Sequence, residues 1–217
     1  MKKIGVLLSG CGVYDGSEIH EAVITLLALD RSGAEAVCMA PDINQYHVMN
    51  HLTGEATDEK RNVLVESARI ARGNIKDIRE MTARNMDGLI LPGGAGAVKN
   101  LSNFAIKGKD TDVNPDVARL VREMAAAGKP VGAICISPVV LAKILTDKKP
   151  EVTVGDDLGT AETIETMGGT HVLCPVDRIV VDHVNKLVTT PAYMLGPGIK
   201  DVAKGIEKLV DEILKMA

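Results

Sequence analysis

Short apolar runs alternate along this chain with longer stretches in which apolar residues recur every three to four positions, and that rhythm constrains the fold more than any other feature. Runs apolar on both sides suit a parallel sheet, and the amphipathic stretches between them are the helices that cover its two faces. Strands are expected at residues 3–9, 34–40, 88–92, 130–135, 179–182 and 187–190. Residues 18–32 place Ile19, Ala22, Val23, Leu26, Leu27 and Leu29 at helical spacing and stop at Gly33, a residue suited to a left-handed cap. Residues 62–72, 115–127 and 198–216 read as helices by the same pattern, the last with Val202, Ile206, Leu209, Val210 and Ile213 on one face. The fold class is α/β, a mostly parallel sheet with helices on both faces.

Two polar stretches interrupt the rhythm. Residues 41–84 are too long for a simple crossover and read as an inserted excursion, while 104–114, with Lys107-Gly108-Lys109-Asp110, reads as a loop long enough for a lid or a subunit contact. No Pro/Ser-rich linker divides the 217 residues, so a single domain spanning 1–217 is expected.

A net charge of −4 provides no basic face for nucleic acid, and no run approaches the roughly 20 apolar residues that a membrane span needs. The run after Met1 is too short for a signal peptide, so the chain reads as cytoplasmic. The four cysteines, Cys11, Cys38, Cys135 and Cys174, form no CxxC pair, which argues against a zinc site or a disulfide framework. Cys38, in Ala36-Val37-Cys38-Met39-Ala40, reads as inert core. Cys11 and Cys174 lie in turns and are expected to be partly exposed, either incidentally or as resolving thiols.

Cys135 differs. In Gly132-Ala133-Ile134-Cys135-Ile136-Ser137-Pro138 a buried strand turns sharply into a helix, with Ser137 as the expected N-cap and Pro138 at the first helical position. A thiol beside a helix N-terminus meets partial positive charge and free N–H groups, which favour the thiolate; a buried core cysteine is the alternative. Two glycine turns, Ser9-Gly10-Cys11-Gly12 and Leu91-Pro92-Gly93-Gly94-Ala95-Gly96, also follow strands, at the carboxyl ends where open α/β folds bind ligands. Neither contains GxGxxG or GxxxxGK[ST], so nucleotide binding would rest on glycine richness alone.

Leu91-Pro92-Gly93-Gly94, then Ala133-Ile134-Cys135, with an acid on the first helix, resembles the ThiJ/PfpI family of the class I glutamine amidotransferase-like superfamily. The resemblance covers nearly the whole chain. The strings from Ser9 to Glu21 and from Thr189 to Met194 are similar, more narrowly, to its glyoxalase-like branch linked with isoprenoid biosynthesis, although no acidic DDxxD motif is present. The resemblance implies a flavodoxin-like three-layer sandwich, a homodimer, a nucleophile at Cys135 and a partner acid at Glu21, with Glu18 the second candidate for that role. It also places substrate or oxyanion contacts at Gly93, Gly94, Ile136 and Glu18.

The chain departs from the family where many members have a histidine near the nucleophile: the matching position in Val152-Thr153-Val154-Gly155 is Gly155. His20 and His171 are the candidates to reach the site from elsewhere. His183-Val184-Asn185 lacks the acid of a glutaminase His-x-Glu pair, which weakens an amidotransferase reading. The expected activity is a glyoxalase of the lyase type acting on a small 2-oxoaldehyde, glyoxal or methylglyoxal, with no metal, glutathione or other cofactor. Redox sensing through an oxidisable cysteine and protein deglycation are the alternatives.

Overall fold

The structure is a computed structural model describing residues 1–217. The first half of the chain runs β1 (Lys3–Leu7), α1 (Ile19–Arg31), β2 (Glu35–Ala40), β3 (Val48–Asn50), β4 (Glu55–Thr57), α2 (Val63–Ile70), β5 (Lys76–Asp77), β6 (Gly88–Leu91), α3 (Ala95–Lys99) and α4 (Phe104–Lys107). The second half adds α5 (Pro115–Ala126), β7 (Val131–Ile134), α6 (Pro138–Ile144), β8 (Glu151–Val152), α7 (Leu158–Thr166), β9 (Thr170–His171), β10 (Val180–Asp182), β11 (Leu187–Thr190) and α8 (Ile199–Met216). Seven strands form one sheet in the order β10-β11-β7-β6-β1-β2-β5, all parallel except β10. The fold is the flavodoxin-like α/β arrangement, with helices on both faces of this sheet.

Successive side chains of the central strands point to opposite faces, as strand geometry requires. Ile4, Val6, Leu8 and Ile90 pack with residues of α1, α2 and α8 on one face. Leu7, Leu89 and Leu91 pack with residues of α5, α6 and α7 on the other. The helices start where their side chains satisfy the open N–H groups: Asn114 accepts from Asp116 and Val117, with Pro115 in the first turn of α5, and Gly33 closes α1 at φ 67.

Residues 41–84 form the β3–β4 hairpin, α2 and the edge strand β5 on β2. The hairpin meets the β1–α1 loop, where Asp15 accepts from the Met49 N–H at 2.8 Å. Residues 104–114 are not the open loop expected. They contain α4 and a 3₁₀ turn at Gly108–Asp110, because Asn103 Oδ1 accepts from Asp112 N at 2.7 Å and from Thr111 Oγ1 at 3.0 Å, folding the segment on itself. The short parallel pair β8–β9 and helix α7 between them were also not anticipated.

Chain order reverses across β1 and β6: from β1 the sheet is first built outward through β2, then continues from β6 on the other side. Such a switch point opens a crevice at the carboxyl ends of the strands. The loops after β1, β6 and β7 meet there.

Candidate active site

Cys135 follows β7 with φ 62, a left-handed conformation that costs a non-glycine residue on the order of 1–3 kcal/mol and is kept where the surroundings enforce it. Two bonds enforce it here: Cys135 N donates to Thr190 O at 2.9 Å, and Ser137 N to Ile134 O at 3.0 Å. The chain is helical by Ser137, at φ −60 and ψ −24, so Ser137 makes no side-chain cap; its Oγ donates instead to Pro92 O at 2.7 Å. The expected N-cap is thus a brace between the turn after β7 and the turn after β6.

Glu21 sits in the first turn of α1 with no exposed surface, its carboxyl beside Cys135. Gly93 N donates to its Oε2 at 2.9 Å and Tyr193 N, from the turn after β11, to its Oε1 at 3.3 Å. The sequence reading places Gly93 among the oxyanion or substrate contacts; in the structure its N–H is committed to Glu21 instead. Only glycine fits this position, because a Cβ would lie 2.5 Å from Cys135 Cβ and 2.7 Å from Glu21 Oε2. Gly94 adopts φ 96, and a Cβ there would run into Glu18 N and Gly16 O. The reward for this close approach is that the N–H groups of Gly94 and Ile136 both point at the Cys135 sulfur.

Glu18 is the N-cap of α1, its Oε2 accepting from Glu21 N at 2.7 Å. Its backbone N–H in turn donates to Gly93 O at 2.9 Å, so the α1 entry and the Gly93-Gly94 turn hold each other in place. Burial pushes the Glu21 carboxyl up to about 8, helped by the negative charge of Glu18, against the Tyr193 and Gly93 N–H bonds that favour the carboxylate. The Cys135 thiol is also pushed up, by burial first and then by a charged Glu21; the Ile136 and Gly94 N–H groups oppose this. The expectation that the helix terminus favours the thiolate thus omits the larger effects. Only a protonated Glu21, which adds no charge and can donate to sulfur, allows the thiolate at this depth.

The histidines lie elsewhere. His171 Nε2 accepts from Val154 N at 3.3 Å, which assigns its proton to Nδ1 and gives it a structural role. His20 is exposed, and its Nδ1 is 2.7 Å from Tyr193 Oη. At Gly155 a Cβ would meet Leu195 and Pro191, so apolar side chains fill that position's surroundings. Cys38 is buried as expected, whereas Cys174 is buried rather than partly exposed; Cys11 alone of the remaining cysteines is half-buried. Tyr193 is the contributor sequence reading missed, because a backbone N–H has no residue-type signature.

An α/β sandwich with a strained cysteine turn, a buried acid and a glycine turn between them defines the class, and the chain belongs to the DJ-1/PfpI family, whose pattern matches residues 11–192. It is 47% identical to the human protein named glutamine amidotransferase-like class 1 domain-containing protein 3, mitochondrial, over 99% of this chain and 83% of that protein. The zebrafish (Danio rerio) ES1 protein, mitochondrial, is 32% identical, over 98% and 85%. A crystal structure of an isoprenoid biosynthesis protein with an amidotransferase-like domain from Ehrlichia chaffeensis superposes with a TM-score of 0.92 at 41% identity, covering 99% of this chain and 100% of that one. Drosophila melanogaster DJ-1beta, at 20% identity and TM-score 0.59 over 100% and 95% of the chains, shares the fold. The cytoplasmic expectation is corrected by these findings: the curated relatives, the rat ES1 homolog included, are named mitochondrial.

Proposed function

We propose that this protein is a cofactor-independent glyoxalase that converts glyoxal, or methylglyoxal, to glycolate or lactate. The observation that carries this reading is the fully buried Glu21 carboxyl, raised to about 8 and in contact with a cysteine whose sulfur faces two backbone N–H groups. A general acid–base works best with its pKa near the operating pH. The Cys135 thiolate adds to one aldehyde carbon while protonated Glu21 gives its proton to that carbonyl oxygen, forming a hemithioacetal. The Glu21 carboxylate then removes the hydrogen from the same carbon, and the electron pair moves through the new C=C bond onto the second carbonyl oxygen. Gly94 and Ile136 N–H groups stabilise this oxyanion, by about 3 kcal/mol per donor in comparable sites. Return of the proton from Glu21 to the second carbon, with the proton of the first hydroxyl passing to the second oxygen, leaves the thioester of the hydroxy acid. Water hydrolyses it to the hydroxy acid and the free thiol. Quenching turnover with hydroxylamine tests the sequence: the reading expects glycolohydroxamic acid, and its absence during measurable turnover counts against a thioester.

The same three donors around sulfur support a second reading. Peroxide oxidises the thiolate to the sulfenate and then to the sulfinate, each step releasing water, and Glu21 and the two N–H groups are placed to bind the new oxygens. Intact mass after mild peroxide distinguishes the readings: oxidation selective for Cys135 without glycolate formation favours sensing.

We further infer that the protein is a homodimer through α1. Its outward face carries Ile19, Val23 and Leu27, 41%, 48% and 43% exposed, whereas the outward face of α8 carries Lys200, Lys204, Lys208 and Asp211. Three apolar residues in line on one helix face form a stripe that can pair with its own copy across a two-fold axis.

A further inference from the structure

The turn after β11 is bonded to both Cys135 and Glu21. At its start Thr190 O accepts from Cys135 N at 2.9 Å, and further on Tyr193 N donates to Glu21 Oε1 at 3.3 Å. Between them Ala192, fully buried, adopts φ 43, a left-handed conformation that a non-glycine residue keeps only where its surroundings enforce it. Leu195 N and Gly196 N both donate to Ala192 O, at 3.1 and 2.8 Å, which fixes the turn towards α8. Towards α1 the restraint is the half-buried Tyr193 phenol: its Oη lies 2.7 Å from Nδ1 of exposed His20, with the two rings 5.8 Å apart. One residue therefore grips two consecutive residues of α1, His20 through its hydroxyl and Glu21 through its backbone N–H. The Tyr193 N–H bond is the longer of the two on the Glu21 carboxyl, against 2.9 Å from Gly93, so it is the first to weaken if the turn moves away.

We propose that Tyr193 is a positioning residue: its phenol, latched to His20, holds the N–H of the same residue on the Glu21 carboxyl. That N–H favours the carboxylate, so the latch helps to set the pH at which Glu21 gives up its proton. The other titratable groups around this carboxyl are Glu18 on α1 and Cys135 after β7, and those around the phenol are His20, Glu18 and Glu21. Nothing in this role requires Tyr193 to touch a substrate. The proposal rests on Glu21 as the acid beside Cys135 and not on the glyoxalase reaction itself.

Titration of Glu21 tests it, followed by NMR of protein carrying carbon-13 at its glutamate carboxyls, with the Glu21 signal assigned by its loss in Glu21→Gln. Tyr193→Phe, which keeps the ring and removes the hydroxyl, is expected to raise the Glu21 midpoint by about 0.5 to 1 pH unit. His20→Phe is expected to raise it equally, and the double variant no further than either alone, because both changes break one latch. A tyrosine that only packs would lower the melting temperature of its variant without moving the Glu21 signal. An unmoved midpoint in folded Tyr193→Phe overturns the proposal, as do shifts that add in the double variant. If Tyr193→Phe does not fold, His20→Phe decides, since His20 is exposed: an unmoved midpoint there overturns the proposal. Titration requires no turnover, so the outcome is separate from whether the protein makes glycolate.

Discussion

Glu21 Oε2 and the Gly93 N–H are joined by a 2.9 Å hydrogen bond, so the turn that aims Gly94 at the Cys135 sulfur also fixes the acid that borders it. Donor and acid are therefore not independent parts. Gly93→Ala forces a Cβ to within 2.7 Å of that oxygen and 2.5 Å of Cys135 Cβ, and one of them must move. Turnover with glyoxal is expected to fall at least about 100-fold. Steady-state kinetics beside a thermal melt check this, and wild-type turnover in a folded variant contradicts the coupling.

Glu21→Gln tests the acid itself. Glutamine cannot give or take the proton, so loss of about 100- to 10,000-fold in turnover is expected, with far-UV circular dichroism unchanged.

The raised Glu21 carboxyl also makes stability depend on pH. Its folded value of about 8 lies above the unfolded value near 4.5, so the folded state holds more protons between the two. This contribution is complete below about pH 4.5 and is lost as pH rises towards 8, by an amount on the order of a few kcal/mol. Urea unfolding across this window should show stability falling with pH, with a shallower slope in Glu21→Gln. Equal slopes in the two proteins contradict the burial of a protonated carboxyl.

Ser137→Ala removes the 2.7 Å bond to Pro92 O and leaves that carbonyl buried without this partner. The expected cost is about 1–3 kcal/mol of stability. A cap-only role for Ser137 instead predicts a helix-end effect without loss of the brace, visible as an unchanged alkylation rate at Cys135.

Val23→Glu places a charge in the middle of the α1 stripe. Sedimentation velocity should show a dimer for the wild type and a monomer for the variant; a monomeric wild type removes the proposed interface.

The central strands, α1 and the Cys135 turn were legible because each carries a dense local signal: apolar period two or three to four, a Gly33 stop, a strand running into Ser-Pro. Helix α7 has few apolar residues and begins Leu158-Gly159-Thr160, so its periodicity is weak, and β8 and β9 are two residues each. Ser137 carried the local pattern of a cap, but the left-handed Cys135 brings the backbone into the helix earlier and turns the hydroxyl towards Pro92, a partner 45 residues away. The protonation of the site was the least legible. A helix terminus is visible in sequence, whereas burial of Cys135 and the charge of Glu21 beside it arise only when α1 and the turn after β7 are packed together.

The most direct test of the central claim is glycolate production from glyoxal by the purified protein without metal or glutathione, followed by NMR and compared with Cys135→Ser. The account predicts stoichiometric conversion by the wild type and none above background by the variant. Glycolate formed equally by both proteins, or by neither, contradicts it.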